Sequence, residues 1–242
     1  MMNDKVLITG GSGGIGNALC NSFANAGYTV ILHYNSSQKR AESVLKKLPG
    51  TDHITIKADL SDVDQISAMF ESIENIDVVI NNAAVVEPHN LNILKYEEWV
   101  DVWRRTIDTN LIGSAHIMFF ASRAMKKSGG GKFINISSRG AFRGEPSAPA
   151  YGASKAGLNS LGQSMAVALA KDNIFVYTLA PGFVNTDRVK DLIDDKVKSQ
   201  SPLNRVAKPE EVAKTALWLA NDDNEFLTGS IIDINGASYL RS

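Results

Sequence analysis

Short apolar runs alternate with longer amphipathic stretches nearly to the end of the chain. The runs cover residues 5–9, 29–34, 53–57, 77–81, 132–137, 174–180 and 230–234. Between them, apolar positions recur every three to four residues and predict helices over about 14–26, 38–48, 63–73, 97–126, 150–171 and 210–220. Strands that are apolar on both faces and joined by helices belong in a parallel sheet covered on both sides. Right-handed crossovers then give an α/β fold, a doubly wound Rossmann sheet of about seven strands, with ligands bound beyond the carboxyl ends of the strands.

No repeat, low-complexity tract or linker-like shift in composition interrupts the pattern, so a single domain over 1–242 is expected. The segment 185–204 departs from it. This segment is charged, lacks apolar periodicity and follows Pro181-Gly182 at the end of a predicted strand. A segment leaving the carboxyl end of such a strand is placed to act as a lid over an active site.

Composition narrows the classes. The chain has 242 residues, 44% of them hydrophobic, enough for a full core. Its 25 basic and 26 acidic residues give a net charge of -1, with no excess that would favour nucleic acid or an anionic membrane. Cys20 is the single cysteine, so no intrachain disulfide forms, and its apolar surroundings predict a packing role. Neither a signal-peptide layout nor a membrane-length apolar run is present, and a cytoplasmic location is expected. The histidines at 33, 53, 89 and 116 lack metal-ligand spacing, so no metal site is expected.

Candidate chemistry begins at the first strand-to-helix turn, Thr9-Gly10-Gly11-Ser12-Gly13-Gly14-Ile15-Gly16. Gly11, Gly13 and Gly16 satisfy G-x-G-x-x-G, while Gly10, Gly14 and Gly16 satisfy T-G-x-x-x-G-x-G. Glycines let the backbone N–H groups approach a pyrophosphate seated on the helix N-terminus. After the second strand, His33-Tyr34-Asn35-Ser36-Ser37-Gln38-Lys39-Arg40 holds no acid to accept from an adenosine 2′-hydroxyl. An amide and hydroxyls at 35–37, with Lys39 and Arg40 close by, suit a 2′-phosphate, which favours NADP(H) and leaves NAD(H) open. The competing reading is an ordinary helix cap followed by solvated charges.

Tyr151 and Lys155 sit four apart in Tyr151-Gly152-Ala153-Ser154-Lys155, which stacks them on one helix face. A phenol beside an ammonium is expected to have a lowered pKa and to exchange a proton near neutral pH. Proton exchange beside a dinucleotide points to hydride transfer to or from a carbonyl.

Taken together, these motifs resemble the short-chain dehydrogenase/reductase family over the whole chain. Asp59 in Ala58-Asp59-Leu60 is similar to a family aspartate at the adenine, and Asn81-Asn82-Ala83-Ala84 resembles the N-N-A-G segment beside the cofactor. Pro181-Gly182-Phe183-Val184-Asn185-Thr186 resembles the P-G-x-x-x-T stretch that receives the nicotinamide carboxamide. The resemblance implies a catalytic set of Asn110, Ser138, Tyr151 and Lys155. Tyr151 would be the proton donor, Ser138 the polariser of the substrate oxygen, and Lys155 the partner of the phenol and the nicotinamide ribose. Asn110 would either order a proton-relaying water or fix its helix locally. The resemblance implies cofactor contacts at Gly10, Ser12, Gly13, Gly14, Ile15, Gly16, Tyr34, Asn35, Ser36, Asp59, Leu60, Asn82, Ala83, Tyr151, Lys155, Pro181, Gly182, Val184 and Thr186. Three departures stand out: Ala84 in place of glycine, a short link at Lys171-Asp172-Asn173, and Tyr177 within the sixth strand.

Within the family, 3-oxoacyl-carrier-protein reductases are the nearest resemblance, through Pro202-Leu203-Asn204-Arg205 and 208–213. This implies an NADP(H)-dependent carbonyl reductase acting on a small substrate, one carried as an acyl thioester included. Alternatives are an NAD(P)-dependent sugar, polyol or steroid-like alcohol dehydrogenase and a non-catalytic dinucleotide sensor. Lys126, Lys127 and Arg143 are candidates for a basic rim facing an acidic carrier, or are simply solvated charge. A homotetramer built through the helices over 97–126 and 150–171 is also implied.

Overall fold

The computed structural model describes residues 4–221 and 223–241. Its strands are β1 (Lys5–Ile8), β2 (Thr29–Tyr34), β3 (Ile54–Lys57), β4 (Val78–Asn81), β5 (Gly131–Ile136), β6 (Ile174–Pro181) and β7 (Ile231–Ile234). They form one seven-stranded sheet in the order β3-β2-β1-β4-β5-β6-β7. Every pairing is parallel. The chain first builds outward from β1 through β2 to β3, then returns to place β4 on the other side of β1. That reversal opens a crevice at the carboxyl ends of β1 and β4.

Alternate residues of each strand feed two cores. Val6, Ile8, Leu32 and Ile134 pack with α1 (Gly14–Asn25), α2 (Gln38–Leu45) and α9 (Pro209–Ala220). Leu7, Val79 and Phe133 pack with α3 (Val63–Glu71), α5 (Gly113–Ser128) and α7 (Pro149–Leu169) on the opposite face. Proline opens α7 and α9, where its missing N–H has no intrahelical partner to lose. Cys20 is buried and burial pushes its thiol up to about 12, as suits a packing residue. Tyr177 is fully buried, and its hydroxyl donates to the Asn224 carbonyl at 3.1 Å. Asn173, in the short link, takes the left-handed conformation at φ 58°.

The helix expected over 97–126 is interrupted. It runs as α4 (Tyr96–Ile107), a wide π turn (Asp108–Ile112) and then α5. Asn110, at the centre of the turn, is held from outside the helix. Its Oδ1 accepts from Val85 N at 2.7 Å, and its Nδ2 donates to Val85 O at 2.9 Å and to Ser154 Oγ at 3.1 Å. Gly113 follows because the helix crosses the Leu60 carbonyl there, and a β-carbon would lie 2.3 Å from that oxygen. Such π turns gather at functional sites.

The 185–204 segment starts and finishes at one bridge, Val184 with Ala207. Asn185 N donates to Ala207 O at 2.8 Å, and Ala207 N to Phe183 O at 2.9 Å. Within it are two short helical turns, Lys190–Leu192 and α8 (Asp195–Lys198).

His33 locks the start of the crevice. Its Nδ1 accepts from Gly10 N at 3.2 Å, so its Nε2 is the protonated nitrogen and donates to Ala58 O at 3.0 Å. Burial lowers its pKa from 6.5 to about 4. The folded protein therefore holds His33 neutral where the unfolded chain takes up a proton. Stability present above about 6.5 should fall as the pH drops toward 4, by up to about 3 kcal/mol. Asp59 and Glu211, whose carboxyls are held below their ordinary values, join only at lower pH. Urea unfolding at pH 7.5 and 5 should show this loss, and His33→Gln should flatten it.

Candidate active site

The glycine turn is shaped by contacts that exclude side chains. Gly10 is left-handed at φ +64°, and a β-carbon on Gly16 would lie 2.2 Å from the Gly10 carbonyl. No side chain caps the N-terminus of α1, so its first N–H groups remain available to an anion. Ser12, Gly13, Gly14 and Ile15 keep open surface there. A pyrophosphate fits this cradle.

Asn82 ties the end of β4 to the turn, donating from Nδ2 to Thr9 O at 2.8 Å and Gly10 O at 3.3 Å. The Thr9 hydroxyl accepts from the N–H groups of Asn82 at 2.9 Å and Ala83 at 3.0 Å. At the adenosine end, Tyr34 is buried while Asn35 and Ser36 are exposed. Asp59 binds the Ser61 backbone at 2.9 Å and hydroxyl at 2.7 Å, and takes a bond from Asn35, which together hold its carboxyl below the ordinary range. Leu60 is buried beside it. Pro181 and Gly182 continue β6 to the cleft, with Gly182 N donating to Ile234 O at 3.0 Å. Val184 is buried, and Thr186 lies so close to Gly14 that a β-carbon there would come within 2.5 Å of its Cγ2. The segments that carry the residues assigned to the dinucleotide thus gather around the crevice at the switch point.

The catalytic candidates meet at its β5 end. Tyr151 stands in the first turn of α7 and its phenol is hydrogen-bonded to the Ser138 hydroxyl, just beyond β5. The Ser138 Oγ also accepts from Gly140 N at 3.0 Å, at the start of α6 (Gly140–Arg143). Lys155 is 2% exposed, with Nζ 5.7 Å from the Tyr151 ring centre. That ammonium donates to the Ile136 carbonyl at 2.7 Å. Ser154 joins Asn110 to the same turn, its hydroxyl donating to Tyr151 O at 2.8 Å. With both Nδ2 bonds and Oδ1 engaged by protein groups, the Asn110 side chain holds the fold locally.

One expectation is corrected here. The Tyr151 phenol lies above its ordinary value, not below it. Burial raises it most, the Ser138 bond offsets part, Glu145 adds to the rise and Arg188 opposes it. Lys155 fails to lower it because its ammonium is drawn inward to Ile136, and burial brings its own pKa down to about 8. A second correction concerns Lys126 and Lys127. They end α5 next to the start of β5, at the opposite edge of the sheet from Ser138, and Lys126 pairs with Asp172 at 2.7 Å. Only Arg143 of that trio lies on the active-site side, where it reaches Gln200 at 3.4 Å.

His33, Ser154, Glu145 and Arg188 carry parts of this site that no motif signalled. The first two act through contacts between distant segments, and the other two only through charges that shift the Tyr151 phenol.

Comparison with known proteins agrees with this geometry. A family profile described as enoyl-(acyl carrier protein) reductase matches residues 10–237. A 3-oxoacyl-(acyl-carrier-protein) reductase of Staphylococcus aureus is 35% identical, covering 99% of both chains. One from Chlamydia trachomatis is 33% identical, over 98% of this chain and 97% of that one. The crystal structure of a 3-ketoacyl-(acyl-carrier-protein) reductase from Brucella melitensis, complexed with NADH, superimposes with a TM-score of 0.89 at 25% identity, covering 98% of each chain. Among the described residues no helix is long and apolar enough to cross a membrane. A seven-stranded sheet reversing at β1, a glycine turn at its switch point and a serine–tyrosine–lysine cluster beyond β5 make this chain a member of the short-chain dehydrogenase/reductase family, an NAD(P)-dependent oxidoreductase.

Proposed function

We propose that this enzyme reduces the ketone of a 3-oxoacyl compound, carried as a thioester, with NADPH. The observation that carries the reading is the Ser138–Tyr151 hydrogen bond above a buried Lys155, beside the glycine cradle. The dinucleotide supplies the hydride. Ser138 and Tyr151 present their hydroxyls to one substrate oxygen, and Tyr151 gives up its proton as charge develops there. A phenol held above its ordinary value is protonated at neutral pH, the state a reduction needs. Lys155, mostly charged there, bonds the nicotinamide ribose and holds α7 against β5 through the Ile136 carbonyl. The names of the curated relatives support the 3-oxoacyl group.

Preference for NADPH is supported by the exposed Asn35 and Ser36, the exposed Lys39 and Arg40, and the absence of an acid after β2. Ser37 makes no side-chain cap on α2, which leaves the N–H groups there for a phosphate. We also propose a cytoplasmic homotetramer joined through α5 and α7, whose outer faces expose Phe119 at 47% and Val167 at 85%.

Tyr151→Phe should lower kcat for 3-oxoacyl thioester reduction by roughly 10²–10⁴-fold while NADPH binding, read by its fluorescence, stays intact. Retained turnover would refute the assignment. The reduction rate should decline as the pH rises through about 8, where Lys155 loses its proton. A kcat/KM profile flat to pH 10 would contradict this role (pH range set by the ordinary lysine value, about 10.4). For the cofactor, kcat/KM should favour NADPH, and Ser36→Asp should shift the ratio toward NADH by roughly tenfold or more, through repulsion of the 2′-phosphate.

A further inference from the structure

Ser138 and Arg139 are neighbours in sequence with separate partners. Ser138 is bonded to the Tyr151 phenol, whereas Arg139 donates from Nη1 to the Ser238 hydroxyl and from Nη2 to the side-chain oxygen of Gln200. The Arg139 N–H donates to Pro181 O at 2.9 Å, which anchors its backbone to the end of β6. Arg139 is only 4% exposed, and its guanidinium lies 5.3 Å from the centre of the Phe183 ring. Among the described residues no carboxylate pairs with it. The other cation at Gln200 is Arg143, a like charge. Burial and Arg143 both disfavour the charged form of Arg139, and Glu145 opposes them. A guanidinium nevertheless stays protonated in a protein, and a buried charge is unfavourable unless it is paired. Two neutral oxygens engage two of its five donors and leave its charge unmatched.

Arg139 lines a cavity of about 120 Å³ between the second half of the 185–204 segment and the turn that follows β7. Phe183, Val197 and Leu203 give this cavity apolar lining, and Gln200, Ser201 and Ser238 stand with Arg139 as polar lining. Two acids also border it, but each is held by another arginine: Glu211 by Arg205 at 2.8 Å, and Asp233 by Arg241 at 2.7 Å. Neither Ser138 nor Tyr151 borders it, so a ligand there does not compete with a thioester for the reacting hydroxyls. An apolar cavity of roughly 150 Å³ holds a molecule the size of benzene, so this space suits an acid of about four carbons.

We propose that this cavity is a second binding site, for a short-chain carboxylic acid, with the carboxylate on Arg139 and the tail against Phe183, Val197 and Leu203. The carboxylate supplies the counter-charge that Arg139 lacks and takes donors of the fork that no protein group uses. The aliphatic tail covers apolar surface that an inorganic anion leaves wet. Gln200 and Ser201 belong to the 185–204 segment and Arg139 follows Ser138, so an occupied site ties that segment to the serine loop. The acid is then an effector bound apart from the substrate, whatever carbonyl the enzyme reduces.

The test is calorimetric titration of the enzyme loaded with NADP⁺, which keeps the glycine cradle filled. Butyrate, neutral butyramide and inorganic phosphate are compared at one ionic strength. Butyrate should bind at one site per chain and raise the Tm with its concentration. Butyramide and phosphate should each bind about tenfold more weakly or worse. Arg139→Gln should lose the butyrate response. Gln200→Glu keeps the buried arginine and gives it a carboxylate of its own, so it should raise the Tm without ligand and weaken butyrate by roughly tenfold or more. Tyr151→Phe should leave butyrate affinity unchanged. Equal binding of butyramide or phosphate would overturn the proposal, as would a loss of butyrate affinity in Tyr151→Phe, which puts the acid in the substrate pocket. Absence of butyrate binding to the wild type also overturns it, and a change of assembly size in Arg139→Gln would then assign the counter-charge to a second copy of the chain. These readouts are of binding, so failure of thioester reduction leaves them standing.

Discussion

The site depends on one buried cation. Lys155 lies almost out of water and its ammonium is held by the carbonyl that ends β5. Moving a charge from water into a protein interior carries an effective penalty of several kcal/mol. The same contact fixes the register of α7 against β5, and so sets where Tyr151 stands relative to Ser138. A helix placed this way delivers a phenol to a serine hydroxyl that the sheet supplies. Desolvation then keeps Tyr151 protonated, the form that gives a proton, and Lys155 near its titration point.

The rest of the architecture brings a dinucleotide crevice up to this pair. Thr9 and Asn82 join the ends of β1 and β4 across the switch point, and His33 joins the glycine turn to β3 through both ring nitrogens. Asn110 plays the corresponding part on the other wall. Its amide stitches Val85, just past the cofactor segment, to Ser154 in the Tyr151 turn. The π turn puts Asn110 where it can do this. None of these groups need touch a substrate, yet each fixes a segment that would.

Local information was enough for much of this. All seven strands lie within a residue or two of the apolar runs; the inner strands are buried on both faces, and the half-exposed edge strands β3 and β7 still carry isoleucines on alternate positions. The glycine turn and the four-residue step from Tyr151 to Lys155 were legible for the same reason, since turn geometry and helical spacing act between neighbours. What the fold alone decided came from segments far apart in the chain. Contacts with Val85 and Ser154 opened the π turn at Asn110, and contact with Ala58 gave His33 its role. The inversion of the expected Tyr151 shift has the same origin. A pKa depends on how many atoms displace water around a group and on where its neighbour's charge points. Packing drew the Lys155 ammonium toward Ile136, a direction that a spacing of four residues does not encode.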